Sequence, residues 1–70
     1  QGLADVALAA EEYETAVTLQ PDRKDWRFAW AGVLAELRKK DDARRVAEEL
    51  KQQDDDYPGI DALLEKLKRE

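Results

Sequence analysis

Apolar residues recur along this chain at intervals of three and four and never in strict alternation. That spacing lines one side of a helix and leaves no strand with a buried face. The pattern falls into four blocks separated by short polar or Pro/Gly breaks. It predicts an all-α chain with helices over about 3–20, 24–39, 42–53 and 58–69, forming one domain over residues 1–70. In the first block Val6, Ala9, Ala10, Tyr13, Ala16 and Val17 share a broad face, with Glu11, Glu14 and Thr18 opposite. Pro21 ends it, because proline lacks the N–H and pushes the preceding residue out of helical geometry. In the second block Trp26, Trp30, Val33, Leu34 and Leu37 form the dominant stripe, and burial of Trp30 implies that Trp30→Ala costs ~3–5 kcal/mol. Asp22 or Asp25 is the expected cap of this helix, and Asp41 and Asp42 of the third. The third helix turns Ala43, Val46, Ala47 and Leu50 inward and shows solvent a charged side with two Arg-to-Glu pairs four apart, Arg44–Glu48 and Arg45–Glu49. After Asp54–Gly59, with Pro58 suited to a first helical turn, the fourth helix brings Ile60, Leu63, Leu64 and Leu67 to one side.

A chain of 70 residues has little core to spend. Below about 70–80 residues a single core rarely supplies more than ~3–5 kcal/mol, and without Cys no disulfide adds to it. The inventory also limits chemistry: the chain has no His, Cys, Ser, Asn or Met. Cys and Ser nucleophiles are missing, as are imidazole bases and the usual zinc ligands, which leaves carboxylates, Lys, Tyr and two Thr for acid–base chemistry. No enzyme, no cofactor and no metal site is expected. Asp54, Asp56, Gly59 and Glu65 fall at positions one, three, six and twelve of a calcium loop, but Pro58 cannot serve as a ligand there, and acids in a helix-breaking turn are the favoured interpretation.

With Lys+Arg at 12 against Asp+Glu at 17, the net charge of -5 opposes binding to nucleic acid and to anionic membranes. No apolar run approaches the ~20 residues of a membrane span. The absence of Cys suits reducing and oxidising compartments alike. Gln1 stands where an initiator Met would, so an excised or processed segment is expected.

Sliding the sequence by 34 residues pairs Ala9 with Ala43, Tyr13 with Ala47, Ala16 with Leu50, Trp26 with Ile60, Trp30 with Leu64 and Val33 with Leu67. Such a period marks helical repeat arrays. The stretch Ala9-x-x-x-Tyr13-x-x-Ala16-x-x-x-x-Pro21 resembles the second half of a tetratricopeptide repeat, and Trp30-Ala31-x-x-Leu34 followed by Ala43 resembles the start of the next. The second repeat departs from the family at Ala31, Ala47 and Asp55, where Gly, an aromatic residue and Pro are usual. The resemblance implies antiparallel hairpins stacked as a short right-handed solenoid, lacking a first helix and closed by a C-terminal capping helix. It further implies protein–protein contact, with a protein or peptide partner held in a groove along the second helix. Asp25, Phe28, Gly32, Ala35 and Glu36 would be its groove residues. Phe28 would either form a partner pocket or pack on the first helix across the turn. The Lys/Arg/Asn carboxylate clamp of some family members is not supplied, and Arg23, Lys24 and Arg27 read as solvated charges beside Asp22 and Asp25.

Leu8 and Leu19, eleven residues apart, share the side of the first helix away from its main face and suggest an end face for another chain. The alternative function is a small helical bundle that acts by self-association, as a homo-oligomer.

Overall fold

Every break in the pattern becomes a turn. The structure, a computed structural model, describes residues 3–69 and the side chains of 4–69; Gln1, Gly2 and Glu70 of the expected domain lie outside the described residues. Four helices account for most of them: α1 (Leu3–Leu19), α2 (Lys24–Glu36), α3 (Lys40–Gln53) and α4 (Ile60–Arg69). The described residues contain no strand.

The helix ends differ from expectation for local reasons. α1 closes at Leu19, where the Gln20 N–H donates to the Ala16 carbonyl ahead of Pro21. α2 stops at Glu36 rather than Lys39 because Arg38 takes a left-handed conformation, φ 65°. The Lys39 N–H then reaches back to the Leu34 carbonyl (3.0 Å) and the Arg38 N–H to that of Ala35 (3.1 Å), satisfying two carbonyls left over at the helix end. The turn is so tight that α3 begins at Lys40, ahead of the expected Asp42. The expected carboxylate caps are absent: Arg23 and Lys39 occupy the cap positions, neither with a side-chain cap bond. Asp25, Asp41 and Asp42 instead lie inside the first turns, where their charge meets the positive end of the helix.

The last break is a turn of a defined kind. The Ile60 N–H donates to the Tyr57 carbonyl, with Pro58 and then Gly59 (φ 88°) between them. Proline at the second position and a positive-φ glycine at the third make a type II turn. Pro58 therefore precedes α4 instead of opening it.

α2 is the hub. It packs on α1, on α3 and more lightly on α4, while α3 also packs on α4. Lys24 at the head of α2 pairs with Asp54 just past the tail of α3 (3.3 Å), and the Gln53 side chain donates to the Pro21 carbonyl (3.0 Å), so α2 and α3 run antiparallel. The Cα atoms span 32 × 31 × 17 Å, a slab about two helices thick, given interaxial distances of ~8–10 Å.

The core corrects the expected stripe of α2. Ala31 and Leu34 are its buried residues, and they join Ala10, the inward side of α3 (Ala43, Val46, Ala47, Leu50) and Ile60, Leu64 and Leu67 of α4. Trp30, Val33 and Leu37 are only half-buried against that cluster, as are Phe28 and Ala35. A helix gripped by three neighbours needs a small residue where backbones approach, and Ala31 supplies it. The large side chains straddle that point. Trp30→Ala consequently removes less buried surface than a fully enclosed tryptophan would, which places its cost toward the lower end of the expected ~3–5 kcal/mol.

Candidate functional site

α1 presents an apolar side that no other helix among the described residues covers. Ala10 and Val17 are buried, and α2 is the helix it packs on. On the far side Leu8 is 57% and Leu19 75% exposed, and these are the exposed large hydrophobic residues among those described. Between the two faces lies an open notch lined by Ala9, Glu12, Tyr13 and Ala16 of α1 and by Trp26 of α2. The Arg23 guanidinium stacks 4.0 Å above the Trp26 ring, holding the indole as the wall of the notch on the α2 side. Every charged residue of α1, Asp5, Glu11, Glu12 and Glu14, is acidic. The α1 side of this surface is therefore apolar patches set in negative charge, with the Arg23 cation at the α2 wall.

The five expected groove residues do not behave as a unit. Phe28 is half-buried, its ring centroid 5.3 Å from that of Tyr57 and its edge against Gly59, so it packs on the α3–α4 turn. Ala35 packs against the core. Asp25 is exposed and bonded to Arg23 at 3.4 Å, and that hydrogen bond holds its carboxyl below the ordinary value of 3.8. Gly32 is half-buried with open space where a Cβ would stand, and Glu36 is exposed. Asp25, Gly32 and Glu36 thus remain available to a ligand, while the one large apolar side chain of the set is engaged elsewhere.

Of the three basic residues at the head of α2, Arg27 departs most from a solvated charge. Its side chain is only 12% exposed; one terminal nitrogen faces Glu49 at 3.9 Å, and its Nε is buried without a hydrogen-bond partner. Glu49 therefore looks across to α2, and Arg45 pairs back to Asp42 (3.2 Å). The acids of the α3–α4 turn are likewise structural. Asp54 accepts the Asp56 N–H and pairs with Lys24, and α4 is already helical at Ile60. Among the described residues no group of three or more acidic side chains is placed to hold a metal ion. Lys51 donates to Asp61, and that bond, aided by Asp55 and Asp56, raises its ammonium above the ordinary 10.5. No helix of the described chain is long and apolar enough to cross a membrane.

No protein-family model, no curated protein and no solved structure matches this chain.

Sequence reasoning missed the notch, because it joins α1 to Trp26 across a turn. It also missed the seat of Arg27 and the packing of Phe28 on Tyr57. A signal for the notch was present: the 34-residue interval sets Glu12 against Val46, an acid against a core residue.

Proposed function

We propose that this chain is a protein–protein interaction module of the tetratricopeptide kind, working through the face of α1 and not through catalysis. The observation that carries the proposal is the exposure of Leu8 and Leu19 on one side of α1, next to the open Ala9/Tyr13/Ala16/Trp26 notch. Large apolar side chains grouped on a surface mark contact sites. The repeat-type stacking is supported by the 34-residue correspondence and by the packing order, in which α2 touches α1, α3 and α4. α4 fits the part of a closing helix, since its outward residues Ala62, Glu65, Lys66 and Arg69 present charge and only one small apolar side chain. A groove along Asp25, Gly32 and Glu36 is the less supported site, because Phe28 and Ala35 are occupied. Self-association through α1 is also less supported, since it would oppose four acids to four acids.

Affinity capture from an extract of the native host tests this, comparing the wild-type chain with Leu8→Lys/Leu19→Lys. Both residues are exposed, so the double variant should keep its melting midpoint and lose the captured protein. Equal capture by both chains rejects the α1 face; capture lost instead in Gly32→Leu moves the site to the groove. Sedimentation that shows a concentration-dependent dimer abolished by Leu8→Lys/Leu19→Lys makes self-association the function.

A further inference from the structure

The four α1 residues of the notch have counterparts 34 positions later, and those counterparts are the buried residues of α3. Ala9, Glu12, Tyr13 and Ala16 correspond to Ala43, Val46, Ala47 and Leu50. The latter are 0%, 3%, 0% and 0% exposed, because α3 lies between α2 and α4. On α1 the same set is open: Ala9, Tyr13 and Ala16 are half-buried and Glu12 is exposed. Ala9 matches Ala43 in size, while Tyr13 stands for Ala47 and Ala16 for Leu50, an exchange of large for small in both directions that leaves the positions apolar in the main. The one change of chemical class is Glu12 in the place of Val46.

We propose that the notch seats an amphipathic helix of a partner protein, and that this helix carries a basic residue opposite Glu12. α2 shows what packs on such a seat on α3: Leu34 is buried in one cluster with Val46, with Trp30 and Leu37 partly buried against it, and all four edge a crevice shared with α1. An apolar residue suits Val46. Against Glu12 an apolar residue would strand a carboxylate, whereas Arg or Lys pairs with it. Asp5, two turns before Glu12 on the same side of α1, adds to the negative charge there, while Glu11 and Glu14 line the crevice on the other side of the helix. A second copy of this chain would bring its own acidic α1, so the fit is to a basic helix of different sequence. The inference rests on the interaction-module proposal and specifies the partner's chemistry.

The test is a charge-swap titration with two synthetic peptides. One has the sequence of residues 23–39, with five basic residues against two acidic ones; the other is the same peptide carrying Leu34→Arg. Each is labelled with fluorescein and titrated by anisotropy against the full chain and against its Glu12→Val variant. Expected is at least about tenfold tighter binding of the Leu34→Arg peptide to the wild-type chain, with a preference that disappears or reverses on Glu12→Val. The advantage should shrink with added salt, as partly exposed ion pairs do. Equal affinities in all four combinations, or no binding of either peptide, overturn the inference. So does a preference for Leu34→Arg that Glu12→Val leaves intact, which would reflect general attraction to an acidic chain. If the peptides fail while Leu8→Lys/Leu19→Lys still abolishes capture of the native partner, the basic-helix inference falls and the interaction module stands.

Discussion

Replacing Gly59 by alanine should destabilise this chain through both backbone strain and a steric contact. Gly59 sits at φ 88° in the turn before α4, a region where an L side chain costs about 1–2 kcal/mol. A Cβ built there comes within 3.1 Å of Phe28 Cζ, closer than most real Cβ contacts. The ring cannot retreat freely, because Tyr57 packs against it with centroids 5.3 Å apart. Against these two losses stands the lower entropy of an unfolded chain with alanine, about 0.4–1 kcal/mol. The balance is a destabilisation of roughly 1–2 kcal/mol, a large share of the ~3–5 kcal/mol a domain this small usually has. At roughly 4–8 °C per kcal/mol, the midpoint should fall by some 5–15 °C. Urea and thermal melts followed by far-UV ellipticity measure it. Two controls separate the causes. Phe28→Leu should reduce the loss caused by Gly59→Ala, because the steric share goes with the ring. Replacing Gly59 with D-alanine by chemical synthesis should cost little, because a D residue accepts positive φ. A Gly59→Ala chain as stable as the wild type refutes the argument for both strain and contact.

Three further perturbations bear on other parts of the molecule. Gly32 lies inside α2 with open space at its Cβ, so Gly32→Ala should stabilise by about 1 kcal/mol through helix propensity, read as a raised urea midpoint; no gain would mean that the space is occupied in solution. Arg27→Met should leave stability unchanged or raise it by about 1 kcal/mol, because it removes a buried Nε that has no partner while keeping the volume; a loss above about 2 kcal/mol would show that the Glu49 contact is stronger than its 3.9 Å implies. The folded state raises the Lys51 ammonium above 10.5, so its pairing with Asp61 contributes fully below pH 10.5 and is lost as pH rises through the raised value. Melts from neutral to strongly alkaline pH should therefore fall less steeply for Asp61→Asn than for the wild type, and parallel curves would discount the pair.

The four helices and their breaks were legible because the pattern changes period nowhere and Pro21 and Pro58–Gly59 cannot continue a helix. α3 and α4 were read residue by residue. On them the charged and apolar residues segregate cleanly, and Ala43, Val46, Ala47, Leu50, Ile60, Leu64 and Leu67 are buried as patterned, while Leu63 of the same set is only half-buried. α1 and α2 were less legible. α1 is rich in alanine, which fits a core or a surface, and α2 is touched from three directions, so no single stripe describes it. The end of α2 was beyond pattern altogether: an arginine at positive φ carries no signature, whereas a glycine at that position would have announced the turn. The exposure of Leu8 and Leu19 followed from the helical wheel. The engagement of Phe28 by Tyr57 did not, since it depends on how the fourth helix folds back over the second.

The hub position of α2 also sets an order for local opening. α1 is attached through α2, and α4 through α3 with a lighter hold on α2, so either outer helix can detach while the α2–α3 pair survives. Amide hydrogens should exchange most slowly around Ala31, Leu34 and Ala47, and progressively faster toward both ends of the chain. A ligand clasping α1 would then do more than occupy a surface: it would slow exchange along that helix and convert a graded structure into a single cooperative unit.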